Sequence, residues 1–376
     1  MRIVPGWIVV SLLAAAPAIA ATPPPPLTSD VYSFPGAIAS PGSAASAGVA
    51  QADSWLGDEP FDNPAVAASG GLSLTPLLYH VSRQDLRGRN RSYSEQSAFF
   101  DGAGGWVRVG RGSLAFFAYG HQPVLRREEN AYLTGPLGGS PAPVQNSATT
   151  RELHGGGGAS MGRSWWRVGL AGEWVYRDDA YLTEDKSGSP LSGSSEVNFS
   201  GSAVGGQVGA RVELGPEGVG HFTLGGGMRF VPELKVDGTQ AASNSSGPVS
   251  ATREAGYEAG VSVRWNATEQ VRLVAGTGGR TAQEWQGLGL TRGGGFRWGV
   301  GVDFHDARDP WTLRFGVGQD TERGVPEPRS GAVSLGFGWK MEGTVVDVAV
   351  ARHSFSHLRG ATSSDDRVVM SLVFPF

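Results

Sequence analysis

The sequence contains no cysteine, so disulfides, thiolate metal sites and cysteine nucleophiles are excluded. After residue 21 no stretch stays apolar for the ~18 residues that a membrane-crossing helix needs. A multipass helical membrane protein is therefore excluded. Charge is sparse. The net charge is −4 and the arginines are scattered singly, so nothing supports nucleic-acid binding. Glycine, by contrast, is abundant. The 376 residues include 58 Gly and 23 Pro, the two poorest helix formers, which argues against a mainly helical fold.

Arg2, the apolar run Trp7 to Ala16 and the small residues Ala18-Ile19-Ala20 read as a secretory signal peptide over residues 1–20, cut after Ala20. Residues 21–43, with Pro23-Pro24-Pro25-Pro26, have no periodicity and little to bury, and read as a Pro/Ala/Ser-rich linker. Residues 44–70 hold an Ala-rich stretch, an Asp/Pro-rich turn and Asn63-Pro64-Ala65. This segment is expected to fold compactly at the mouth of the domain that follows.

From Gly71 to Phe376 the chain alternates. Trp311, Leu313, Phe315 and Val317 are interleaved with Thr312, Arg314, Gly316 and Gly318. The same holds for Val333, Leu335, Phe337 and Trp339, and for Phe296, Trp298, Val300, Val302 and Phe304. Period two is the strand period, so each segment has one greasy and one polar or glycine face. Aromatics cluster at the ends of the greasy faces, as in the interfacial girdles of membrane barrels. A sheet in lipid must close on itself to satisfy its backbone. The expected fold is all-β, a transmembrane antiparallel barrel of fourteen strands over residues 71–376. Tight turns such as Gly110-Arg111-Gly112, Gly162-Arg163 and Glu342-Gly343 alternate with longer segments, including 123–148 and 178–195, as fourteen strands with both termini in the periplasm require.

The last strand places Val368, Met370, Leu372, Phe374 and Phe376 on one face. A terminal alternating strand ending in Phe resembles the signal by which the assembly machinery recognises Gram-negative outer-membrane proteins. The expected location is that outer membrane, with its lipid as the surrounding partner. Strand parity turns Arg167, Glu173, Gln207, Arg211, Arg229, Glu258, Arg264, Arg272, Arg297, Asp303, Arg314 and Asp347 into the lumen. Charges of both signs there read as ladders that stiffen the wall, because unpaired buried charge is costly. Inward glycines leave room for close approach of another backbone, such as a plug.

An Ala-rich segment with acidic residues, then Asn63-Pro64-Ala65, then the first strand of a fourteen-stranded barrel resembles the FadL-type outer-membrane transporters of long-chain fatty acids and other hydrophobic compounds. The resemblance implies a hatch inside the lumen that carries Asn63, Pro64 and Ala65. It also implies passive uptake of a small hydrophobic molecule, leaving through the wall or into the periplasm. The alternative reading is a structural or secretion-accessory barrel without transport. A general porin fits the glycine-rich lumen less well. Among catalytic candidates, His353, His357, Asp365 and Asp366 flank the last outer loop, but no recognisable catalytic spacing is present, so no enzyme is expected. Asp178-Asp179 and Glu184-Asp185 could hold Ca²⁺ through oxygen ligands, yet they read as a solvated acidic face. Neither a metal nor a cofactor is expected.

Overall fold

The computed structural model describes residues 55–56, 59–66, 70–86, 91–96, 103–134, 142–185, 194–242, 245–286, 290–292, 294–305, 310–323, 329–356 and 362–375. The signal peptide 1–20, the linker 21–43, the start of the segment 44–70 and Phe376 lie outside the described residues. Fourteen antiparallel strands form one closed barrel, and the described residues contain no helix. They are β1 (Gly71–Leu86), β2 (Arg91–Gln96 and Ala103–Arg111), β3 (Leu114–Thr134), β4 (Ala142–Arg163), β5 (Trp166–Asp185) and β6 (Ser194–Leu214). They continue with β7 (Phe222–Val231 and Leu234–Ala242), β8 (Ser245–Arg253 and Gly256–Asn266), β9 (Val271–Arg280 and Gln283–Gln286) and β10 (Leu290–Arg292 and Gly294–His305). The last are β11 (Trp311–Arg323), β12 (Arg329–Met341), β13 (Thr344–Ser356) and β14 (Thr362–Pro375). Each strand pairs with its neighbours in the chain, and β1 closes the ring on β14 from Gly71↔Pro375 to Asp85↔Thr362.

The outer surface explains the alternation. Leu170, Val204, Val261 and Val333 are exposed, while their neighbours Ala171, Ala332 and Ser334 are buried. Aromatics ring both ends of this apolar band. Phe222, Trp265, Trp311 and Trp339 stand near the short-turn end, and Trp174, Phe230, Tyr257 and Trp298 nearer the other. Phe222 stacks on Trp265 at 5.7 Å and Phe230 meets Tyr257 at 5.4 Å, across neighbouring strands. The lower segment of β7 holds 10 residues between these girdles. At ~3.3 Å per residue and a tilt of ~40° it spans about 25 Å along the barrel axis, the height of the apolar band of such barrels. Leu170 is 63% exposed in this band. Leu170→Arg is expected to lower the folding free energy in bilayers by about 2–4 kcal/mol, measured by denaturant unfolding from lipid vesicles.

Two-residue turns close the short end. Arg111 pairs with Leu114 across Gly112, and Met341 with Thr344 across Gly343. Gly112 (φ 64°) and Gly343 (φ 73°) adopt the left-handed conformation that such turns demand. The other end departs from the sequence reading. Residues 123–148 and 178–195 are read as loops, but the β3–β4 ladder runs up to Thr134↔Ala142 and the β5–β6 ladder to Glu184↔Ser194. Hydrophobic alternation marks only the part of a strand that faces lipid. Once register is set, a polar hairpin continues to pair above it, through cross-strand contacts such as Arg151 to Asp178 at 3.1 Å.

β7, β8 and β9 each break at one level, between Val231 and Leu234, Arg253 and Gly256, and Arg280 and Gln283. The β7–β8 register is the same on both sides of the break. Inward parity inverts there: Thr223 and Glu258 are buried below the break, and Leu234, Val236, Ala251 and Trp285 above it. On the opposite wall, β3 shifts register against β4 between His121 and Val124. Its ladder with β2 runs from Arg111↔Leu114 to Gly104↔His121, whereas the upper segment of β2 pairs with β1.

Candidate functional site: a filled and layered lumen

The described residues of the N-terminal segment lie inside the barrel. Trp55, Leu56, Glu59, Phe61, Asp62, Asn63, Ala65 and Val66 are all buried. Inward glycines make the space. A Cβ on Gly169 would overlap the Pro64 carbonyl, one on Gly209 the Asn63 side chain, and one on Gly225 the Trp55 carbonyl. Gly227 and Gly260 are occupied in the same way by the Trp55 ring. At Gly169 and Gly225 any larger residue would displace the segment's backbone rather than a pliable side chain.

Polar contacts then fix the segment. The Asn63 amide donates to the Trp55 carbonyl at 2.6 Å and to the Ala210 carbonyl at 3.2 Å, and its oxygen accepts from the Ala65 N–H at 2.9 Å. One side chain thus closes the turn and ties it to β6, while Pro64 holds Asn63 out of the helical region. Wall side chains cap further carbonyls. Gln207 donates to Pro60 at 2.9 Å, Ser160 to Val66 at 2.8 Å, and Arg229 to Phe61. The Trp106 indole donates to Glu59. Phe61 and Val66 pack against Trp106, Phe117, Tyr119 and Ala171. Asn63→Ala removes the donor to the buried Trp55 carbonyl and the acceptor of the buried Ala65 N–H, at ~1–3 kcal/mol each. Faster hydrogen exchange at Asn63–Val66, with barrel exchange unchanged, is the expected outcome.

Below the segment, toward the short turns, a cavity of about 310 Å³ is lined by Arg211, Glu213, His221, Thr223, Arg264 and Arg272. Arg211 reaches Glu213 at 2.6 Å and His221 reaches the same carboxylate at 2.8 Å. Above the segment, side chains from separated strands meet. Tyr119 on β3 donates to Glu173 on β5 at 3.4 Å and accepts from Gln207 on β6 at 3.1 Å. Arg229 on β7 stands 3.8 Å from Glu173. Three ligand-type side chains, His121, His154 and Glu173, gather here with candidate atoms all within 4.8 Å of one another.

Higher still, Glu152 on β4 receives Arg253 from β8 at 2.9 Å and Arg177 at 3.2 Å. Arg177 also grips Asp179 through two bonds of 2.7 and 3.0 Å. Both guanidiniums face the Trp285 ring, at 5.1 and 5.9 Å. Trp285 in turn belongs to a buried apolar cluster with Phe199, Leu234, Val236 and Ala251. This layer joins opposite walls through a buried ion network beside an apolar patch.

The remaining charges named from the sequence line the same interior. Arg167 approaches the Val66 carbonyl at 3.4 Å, Arg272 stands 3.7 Å from Asp303, and Arg314 pairs with Asp347. Glu258 is buried, and a Cβ on Gly278 would lie 3.2 Å from Arg297. Asp178 and Asp179 part company, the first pairing with Arg151 and the second with Arg177. Among the rim candidates, His353 and Asp365 are opposite each other in the β13–β14 ladder, and His357 lies outside the described residues. Sequence reading did not name Trp55, Trp106, Tyr119, His121, Glu152, Arg177, Arg253 or Trp285 for the interior. For Trp106 and Tyr119 a signal existed, since both share strand parity with inward residues. Arg253 and Trp285 sit beyond the strand breaks, where parity carried from the lower strand fails.

No protein-family model matches the sequence, and no curated protein matches it. Solved structures do match the fold. A Pseudomonas aeruginosa FadL homologue superposes with a TM-score of 0.62 at 14% identity, over 89% of this chain and 97% of that one. The Pseudomonas putida toluene transporter TodX gives 0.64 at 12% identity, with the same coverage of 89% and 97%. The Ralstonia pickettii toluene transporter TbuX gives 0.61 at 16% identity, over 92% of this chain and 100% of that one. The chain therefore shares the fourteen-stranded barrel fold of the FadL homologue and the toluene transporters.

Proposed function

We propose that this protein is an outer-membrane channel that lets a small hydrophobic molecule enter passively, with the segment 44–70 acting as a hatch. The observation that carries the reading is the filled lumen. The described part of the segment sits in a cradle of wall glycines, with an apolar cluster of Phe199, Leu234, Val236, Ala251 and Trp285 above it. A hydrophilic solute meets charged layers tied together across the lumen, whereas an apolar molecule finds a greasy surface next to them. The neighbours whose fold this chain shares include toluene transporters, which supports a monoaromatic or similarly compact apolar substrate. The apolar belt and the aromatic girdles support a membrane location. In this reading the substrate binds at the Trp285 cluster. It then leaves beside the end of the β2–β3 ladder at His121, and Asn63-Pro64-Ala65 moves to release the lower route.

Cells lacking their own importers and producing this protein are expected to take up labelled toluene faster than control cells, with no change in uptake of a labelled sugar. Equal toluene uptake in both strains, or a rise in sugar uptake, would contradict the proposal and favour an accessory barrel or an open pore respectively.

A further inference from the structure

We propose that His121, His154 and Glu173 form a binding site for a divalent transition metal of the zinc class inside the barrel. The site is independent of what passes through the lumen. The three residues come from adjacent strands β3, β4 and β5. His121 lies directly opposite His154 in the ladder, and Glu173 opposite Gly156, so all three share one level of the wall.

The spacing suits one ion. Two ligand atoms on a tetrahedral metal with bonds of ~2.1 Å stand ~3.4 Å apart. Here Glu173 Oε1 is 3.1 Å from His154 Nδ1 and 3.7 Å from His121 Nε2, values on either side of that figure. Modest side-chain shifts would bring the three atoms onto a common centre.

The supporting shell has the pattern that orients metal-bound histidines. His154 Nε2 contacts Glu152 Oε1 at 2.8 Å, so a proton on Nε2 leaves Nδ1 with its lone pair toward Glu173. Glu152 is itself held by Arg177 and Arg253. His121 is set by stacking on Phe61 at 4.9 Å. Tyr119 donates to Glu173 Oε1 at 3.4 Å, and Arg229 stands 3.8 Å from Oε2, so the second oxygen is already directed away.

A purely structural ion cluster explains less. Neither ring nitrogen of His121 has a partner within hydrogen-bond distance, and its side chain is only 3% exposed, while Nδ1 of His154 faces the Glu173 carboxylate at 3.1 Å. A buried ring nitrogen without a partner is unfavourable. A metal would occupy one nitrogen on each ring. Two imidazoles with one carboxylate select zinc, cobalt or nickel over calcium or magnesium, which prefer all-oxygen sites. The fourth position would take water or a lumen ligand. Bound metal would link three strands directly beside Phe61, at the point where β3 shifts register.

The test uses untagged, full-length protein, folded in detergent and stripped with a chelator. Titrated Co²⁺ is expected to bind one ion per chain with the visible absorption of low-coordinate cobalt, and Zn²⁺ to displace it. His121→Phe keeps a ring against Phe61 and is expected to weaken binding by more than about 100-fold, beyond the loss typical of a supporting residue. His154→Gln provides the same readout if His121→Phe fails to fold, as judged by heat-dependent gel mobility. The proposal is overturned if intact protein binds no stoichiometric Co²⁺ or Zn²⁺. It is equally overturned if folded His121→Phe or His154→Gln binds as well as the parent.

Discussion

Gly225→Leu is expected to expel the N-terminal segment and turn a closed barrel into a conducting one. A Cβ at this position overlaps the Trp55 carbonyl, and a leucine adds three more carbons where the Trp55 and Leu56 backbone now lies. Overpacking typically costs ~1–3 kcal/mol, and here the strain falls on a backbone that cannot yield without leaving the wall. At ~1.4 kcal/mol per factor of ten, the expelled population rises by about 5- to 150-fold. The β-ladders on either side of Gly225 are untouched, so the barrel should still assemble. Planar-bilayer recording should show ion conductance in Gly225→Leu and little in the parent. Gly172 is the control, since a Cβ there meets nothing within 4 Å. Gly172→Leu should behave as the parent does. Parental conductance in folded Gly225→Leu would mean that the cradle does not hold the segment.

The second large effect concerns the upper ion network. Glu152→Ala removes the carboxylate that Arg253, Arg177 and His154 share. Asp179 continues to balance Arg177, but Arg253 loses the carboxylate that draws it across the lumen. Removing one member of a buried pair costs ~3–5 kcal/mol, because the other charge stays buried. Glu152→Ala should therefore lower the unfolding midpoint markedly in detergent. The pair replacement Glu152→Leu with Arg253→Leu should recover most of that loss, since apolar residues of similar volume often substitute for a buried pair at little cost. A Glu152→Ala barrel as stable as the parent would show that the network carries no such weight.

Much of the architecture was legible because the bilayer imposes it. Lipid demands an apolar outer face, so every membrane-facing stretch, Trp311 to Val317 or Val333 to Trp339, carries period two in plain view. The closed ring of fourteen strands follows from the same demand. Above the membrane that pressure vanishes. The polar hairpin from Val124 to Glu152 pairs through its backbone, and nothing in its composition separates it from a loop. The interior was legible only in part. Parity turns Glu173 and Arg229 inward, but it cannot say that Tyr119, His121 and His154 stand beside them, because parity fixes the face of a residue and not the register that sets its level in the wall. Parity also breaks at Pro232-Glu233, Glu254-Ala255 and Thr281-Ala282, the points that bring Leu234, Arg253 and Trp285 inside. Inward glycine in the strands pointed to close approach of another backbone; the residues that approach, Trp55, Asn63 and Pro64, emerge only from the packing.

The most direct test of hydrophobic uptake is to grow crystals of the protein in the presence of bromobenzene and locate the bromine by its anomalous scattering. The account expects a peak inside the lumen, against Trp285, Phe199 and Leu234 and above the N-terminal segment. Bromine found only on the outer, lipid-facing surface, with none in the lumen, would contradict it.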